Sequence, residues 1–198
     1  MAERKPRSDA TRNREAVLAA ADTLFAQCES PEAVTMADIA AAAGVGKATL
    51  FRGFGDRTGL IHALYELRLA PVRLATEEGP PPLGPATPPI QRVPALLDAV
   101  LCFKLDHRHL ALALEGTGGD SSPYQAAHYE RWHSTLKTAL DQIPGLADSD
   151  FTAHALLAAT RADLVEYLVG QQRATRDQMR AQLAAFTARI LDSRTPLA

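Results

Sequence analysis

Apolar side chains near the start of the chain recur at the spacing of one helix face. Val17, Leu18, Ala21, Leu24, Phe25 and Cys28 predict a buried stripe on a helix over residues 11–28. Pro31 in "ESPEA" ends it. A short helix then opens at Thr35, whose hydroxyl can cap the amide of Asp38 while the Asp38 carboxylate reaches back. Ala37, Ile39, Ala40 and Ala43 keep that helix slim, and Gly44 suits a left-handed C-terminal cap. Another short helix is predicted over 47–51. "RGFGD" then reads as a turn, and Asp56 caps a longer helix carrying Leu60, Ile61, Leu64, Leu67 and Leu74. No stretch alternates as a half-buried strand does, so the expected fold class is all-α.

Beyond residue 76 the pattern changes. "EEGPPPLGPATPP", residues 77–89, is too rich in proline to be helical and predicts a stiff extended connector or a disordered loop. Four further helices are expected over 90–114, 121–142, 150–171 and 175–192, separated by "GTGGDSSP", "IPGLADS" and "RATRD".

Composition narrows the setting. The 198 residues are 46% hydrophobic and 22% charged, an ordinary globular balance with no apolar run long enough for a bilayer. The first residues lack the apolar stretch of a signal peptide, so a soluble, cytoplasmic protein with no membrane partner is expected. Cys28 and Cys102 are the two cysteines, which gives neither a disulfide framework nor zinc spacing. The net charge of −2 argues against indiscriminate coating of nucleic acid. Locally, however, Arg4, Lys5, Arg7, Arg12 and Arg14 outweigh Glu3 and Asp9, which makes a basic arm able to touch phosphates.

"GVGKATLF", residues 44–51, carries the most specific chemistry. A nucleotide-binding phosphate loop requires G-x-x-x-x-G-K-[ST]; here Ala41 stands at the first glycine and Ala48 at the metal-binding hydroxyl. The dinucleotide fingerprint fails too, because its third glycine is Thr49. Helix, glycine turn and short second helix is instead the plan of a helix-turn-helix. Ala40 and Ala43 allow close approach, Gly44 turns the chain and Val45 plugs the crossing. Ile39, Leu50 and Phe54 would join Phe25 and Leu24 in a small core. Lys47, Ala48, Thr49 and Arg52 are then left at the start and outer face of the second helix, where a major groove is read. On spacing alone, a helical hairpin within a bundle is the competing reading.

"REAVLAAADTLF" followed by "VTMADIAAAAGVGKATLFRGFGDRTGLI" resembles the DNA-binding domain of the TetR family of transcriptional regulators, over about residues 11–65. The resemblance implies an N-terminal three-helix helix-turn-helix domain (residues 11–58) behind a flexible basic arm (1–10). A C-terminal domain (59–198) would bind an effector and dimerise. It also implies a homodimer on a palindromic DNA operator and a small-molecule effector, with no cofactor and no enzymatic activity. DNA contact is carried over to Thr35, Gly46, Lys47, Ala48, Thr49, Phe51, Arg52 and Arg57. The family's usual Ser or Thr cap is here Gly46, its usual tyrosine Phe51, and a further aromatic or histidine Gly53. Arg57 stands where the family has a lysine, and the expectation is that it clamps a phosphate bidentately. The alternative is a helical protein-interaction or ligand-binding module without DNA activity.

In the second half, the resemblance makes the last two helices a dimer interface, with Ala155, Ala158, Ala159 and Ala162 allowing close approach. Arg161 is expected either to pair with an acid such as Asp163 or Glu166 of a partner helix or to meet an anionic ligand. Phe103, Leu105, His109, Tyr129, Trp132, His133 and Tyr167 are the candidate effector-pocket residues. No metal site is expected: His107 and His109 lie about 200° apart on a helix and His128 and His133 about 140°, and H-E-x-x-H does not occur.

Overall fold

The computed structural model describes residues 6–116 and 127–192, and all regular structure in them is helical. The helices are α1 (Pro6–Gln27), α2 (Met36–Ala42), α3 (Lys47–Phe54), α4 (Arg57–Glu77), α5 (Pro89–Asp106), α6 (Arg108–Gly116), α7 (Ala127–Leu140), α8 (Ser149–Ala158), α9 (Ala162–Gly170) and α10 (Arg176–Asp192), with a 3-10 turn at Pro31–Ala33. Two compact units divide them: residues 1–68 with 109–117, and residues 69–108 with 118–198.

In the first unit α1, α2 and α3 pack mutually. The predicted stripe of α1 is present: Val17, Leu18, Ala21 and Phe25 are buried, joined by Ile39, Ala40, Leu50, Leu60, Ile61 and Leu64. Leu24, Val45 and Phe54, expected in the same core, are only half-buried. α1 begins at Pro6 rather than residue 11, so the second half of the expected arm is helical, and residues 1–5 lie outside the described residues. α3 runs on to Phe54, so the turn shrinks to Gly55 and Asp56. Asp56 then accepts from the Gly59 amide at 2.7 Å, as expected of a cap.

In the second unit α5 is the central helix and packs on α7, α9 and α10, while α7 packs on α8. Val93, Leu96, Leu97, Val100, Leu101 and Phe103 of α5 meet a core built from Leu136, Leu140, Leu156, Val165, Met179 and Leu183. Two paired arginines reinforce the contact of α10 with α5: Arg176 donates to Asp106 at 2.5 Å and Arg180 to Asp98 at 2.6 Å.

Three expectations change here. The helix expected over 90–114 divides at His107, whose φ of −124° and ψ of 42° leave the helical region. The helix expected over 150–171 divides at 159–161. There the Thr160 hydroxyl donates to the Leu157 carbonyl at 2.9 Å, and Arg161, with φ −58° and ψ 142°, restarts the chain. The helix expected over 121–142 begins at Ala127 as α7, residues 121–126 lying outside the described residues.

A further change concerns the proline-rich segment, which is neither extended nor disordered. It folds back through the Gly84 amide donating to Pro80 and the Thr87 amide to Gly84. The buried Arg92 guanidinium fastens it, donating to Leu83 O at 3.0 Å and to Thr76 O at 2.9 Å. Two carbonyls converging on one buried cation explain why so many prolines, which lack donors of their own, can be ordered.

Candidate nucleic-acid interface

The interface is built on α2, the turn after it and α3. Thr35 caps α2 with the reciprocal contacts expected: Asp38 N donates to Thr35 Oγ1 at 3.2 Å, and Thr35 N to Asp38 Oδ2 at 3.2 Å. The Thr35 hydroxyl also donates to that carboxylate at 2.5 Å. These donors hold the Asp38 carboxyl below the usual carboxylate range, the hydroxyl contributing most. At the other end, Gly44 takes φ 65°. Its amide donates to Ala41 O and that of Val45 to Ala40 O, the paired bonds of a Schellman cap. The turn aims the next helix away from α2 within a few residues.

Gly46 is the N-cap of α3, with φ −70° and ψ 145° and no side chain to satisfy the first amides. Leu50 is the one buried residue of α3, at 1% exposure, and anchors the helix. Lys47, Ala48, Thr49, Phe51 and Arg52 are all exposed, as are Gly46 and Thr35. One apolar pin therefore leaves the first turn and the outer face of α3 free to meet a surface. Two cations and a hydroxyl stand on that face with the unsatisfied amides of a helix start, a donor array matched to phosphates and base edges.

Arg57 departs from expectation. It is half-buried, and its guanidinium donates to Pro31 O at 2.6 Å and Val34 O at 3.3 Å, 5.9 Å from the Phe25 ring centroid. The side chain expected to clamp a phosphate thus ties the start of α4 to the turn between α1 and α2. The Pro31 carbonyl also accepts from Val34 N at 3.3 Å, so its second lone pair serves the guanidinium.

Sequence patterning missed Arg14. Its guanidinium lies 4.6 Å over the Phe54 ring and donates to Gly53 O at 3.2 Å, joining α1 to the end of α3. Arg12, another residue of the basic segment, pairs with Asp9 at 3.4 Å. Nothing in the spacing of residues 14 and 54 signals that contact, since it depends on how α1 crosses α3.

The structure places the candidate effector residues in different surroundings. Phe103 and Trp132 belong to the core of the second unit. His109 lies in the first unit, its Nδ1 3.3 Å from Cys28 Sγ, where burial pushes the Cys28 thiol up. Tyr167 is half-exposed on α9 and accepts from Gln172 at 3.2 Å. Tyr129 and His133 come together, with His154. Arg161 pairs with Asp163 of its own helix at 2.9 Å, and Glu166 with Arg108 at 2.8 Å.

Comparison with known proteins decides the family. The model of the bacterial regulatory proteins of the tetR family matches residues 17–64, the stretch that holds α2, the turn and α3. Over residues 17–64 the chain carries the DNA-binding domain of the TetR family. The match supports a transcriptional regulator of that type. The HTH-type transcriptional regulator SAR0097 of Staphylococcus aureus (strain MRSA252) is 27% identical over 179 residues, covering 89% of this chain and 92% of that protein.

Solved structures show the same TetR fold. A TetR-like transcriptional regulator from Rhodococcus sp. RHA1 superposes with a TM-score of 0.62 at 22% identity, covering 96% of this chain and all of that one. NalD of Pseudomonas aeruginosa, described as the secondary repressor of the MexAB-OprM multidrug efflux pump, gives 0.60 at 18% identity over 92% and 97%. Among the described residues, no helix is long and apolar enough to cross a membrane.

Proposed function

We propose that this TetR-family regulator is a repressor that binds a palindromic operator as a homodimer and lets go when a small molecule binds. The observation that carries the DNA reading is the exposure of Lys47, Ala48, Thr49 and Arg52 on a helix whose one fully buried residue is Leu50. The start of such a helix enters a major groove, where Lys47 donates to guanine and Ala48 meets a thymine methyl. Arg52, the Thr49 hydroxyl and the Gly46 end of α3 serve phosphates, and Thr35 joins them only if its hydroxyl leaves the Asp38 carboxylate. Phe51, 48% exposed, packs against sugar or methyl groups without a hydroxyl to donate.

Dimerisation is supported by Leu164 and Tyr167, which remain exposed on α9, and by the family resemblance. A twofold protein matches two half-sites about one helical turn apart. Release by an effector rests on the resemblance, and the repressor role draws on the likeness in fold to NalD, described as a secondary repressor. The effector would favour a helix arrangement in which the two recognition helices no longer match that spacing.

The test is a gel shift on DNA flanking the chain's own gene, repeated across salt. Lys47→Ala and Arg52→Ala should each lower the salt slope by about one, and loss of a base contact should also relax sequence preference. Absence of any shift at low salt on palindromic DNA would leave a helical binding module without DNA activity.

A further inference from the structure

We propose that His133, Asp150 and His154 form a binding site for a divalent transition-metal ion of the zinc class, held between α7 and α8. One ligand atom from each residue lies within 4.8 Å of the other two. Asp150 and His154 are four residues apart on α8 and so share a face, and His133 approaches them from α7. Ligands bonded at about 2.0–2.1 Å to a tetrahedral ion lie about 3.3 Å from one another. His133 Nε2 and Asp150 Oδ1 stand 3.5 Å apart, close to that separation before any side chain moves. The two imidazole rings stack with centroids 3.9 Å apart and an interplanar angle of 23°, so both rings face the same small volume.

The donor set selects the ion. Two imidazoles and one carboxylate suit zinc, cobalt, nickel or ferrous iron, whereas magnesium and calcium prefer oxygen alone. Three protein ligands leave a coordination position for water or a further ligand. Asp150 is largely exposed while His133 and His154 are half-buried, so the ion has an entry path from solvent.

An outer partner is also in place. The Tyr129 hydroxyl lies 2.6 Å from His154 Nδ1, and its ring stacks on His154 at 5.8 Å. With metal on Nε2, Nδ1 carries the proton and donates to the Tyr129 oxygen, fixing tautomer and ring orientation as outer-shell partners of metal-bound histidines do. His133 Nε2 also stands 3.3 Å from the Asp150 carbonyl oxygen, and a metal on that nitrogen replaces its proton. This inference is independent of the DNA-binding reading and is measured without DNA.

Chelator-stripped full-length protein is titrated with zinc chloride against a chromophoric chelator, and with cobalt chloride followed by its visible d–d bands. One equivalent should bind per chain, with a four- or five-coordinate cobalt spectrum and no competition from millimolar magnesium. His133→Ala and His154→Ala should each weaken binding at least about tenfold, and Tyr129→Phe should weaken it about tenfold as an outer-partner change does. His109→Ala should leave it unchanged. X-ray absorption of the zinc-loaded wild-type chain should show scattering from two imidazoles, a readout that survives even if a histidine variant fails to fold. Failure of the wild type to bind zinc or cobalt would overturn the proposal, as would binding unaffected by His133→Ala and His154→Ala. In the first case the cluster is a hydrogen-bonded aromatic stack between α7 and α8; in the second another residue set holds the metal.

Discussion

The Arg57 guanidinium donates to the Pro31 carbonyl at 2.6 Å, tying the first turn of α4 to the turn that separates α1 from α2. A second bond, to Val34 O, and the Phe25 ring nearby complete the seat. A residue engaged in this way is a strut of the DNA-binding domain. Hydrogen bonds to charged groups contribute about 1.5–3 kcal/mol each when buried, and Arg57 is half-buried. Arg57→Ala should therefore cost about 1–3 kcal/mol in denaturant unfolding. The salt slope of DNA binding should change by less than one, in contrast to Lys47→Ala and Arg52→Ala. An intact stability with a slope reduced by one would return Arg57 to the phosphate backbone.

The two glycines that flank Val45 have opposite requirements. Gly44 sits at φ 65°, so Gly44→Ala forces an alanine into left-handed backbone and should destabilise by about 1 kcal/mol. Gly46 has the extended backbone of an N-cap, and a Cβ there meets nothing within 4 Å. Gly46→Ser gives the first amides of α3 a side-chain acceptor and should stabilise by a few tenths of a kcal/mol. Thermal unfolding of the two variants in parallel separates these outcomes; equal shifts of one sign would contradict the assigned cap geometry.

Arg92 gives the proline-rich loop its order. Arg92→Ala leaves the carbonyls of Thr76 and Leu83 without their shared donor and should cost about 1–3 kcal/mol. It should also speed proteolytic cleavage within residues 78–88. Arg92→Lys should recover only part of the loss, because an ammonium cannot span both carbonyls as a planar fork does. Limited proteolysis of the three proteins in native buffer reads this directly; identical cleavage rates would show that the loop is ordered by other contacts.

Stability should fall on acidification through specific carboxylates. The Arg176 guanidinium holds the Asp106 carboxyl below the usual range, and Arg161 does the same for Asp163. A folded pKa below the unfolded value of about 3.9 means that the unfolded chain takes up the proton first. The contribution is therefore complete above about pH 5 and is lost as pH falls through the unfolded value to the lower folded ones. Both pairs are exposed enough that each is worth less than about 1 kcal/mol. Asp106→Asn should lower stability at pH 6 and flatten the decline between pH 5 and 3 in denaturant titrations. A decline as steep as that of the wild type would remove Asp106 from the account.

The two ends of the α2 to α3 turn were readable because each depends on neighbours in sequence. Thr35 with Asp38 and Gly44 with Val45 are contacts between residues a few positions apart, so residue type and spacing suffice. The buried stripe of α1 was readable for the same reason. The seats of Arg14 and Arg57 were not, because their acceptors lie 39 and 26 residues away along the chain. A cation in a sequence reads as exposed until the fold supplies carbonyls for it to bind.

The second half shows the same division. Helical periodicity foretold helices over most of it but not the breaks at His107 and Arg161, where the backbone leaves the helical region without a proline or glycine. Histidine pairs tested along single helices share no face, yet His133 and His154 stack across α7 and α8. By itself, the sequence determined the class of fold, the helix-turn-helix and its caps, since these follow from local backbone preference and helical period. Only the tertiary structure decided which arginines are struts, what holds the proline-rich loop and which histidines meet. Those depend on helix crossings that bring together residues with no fixed separation along the chain.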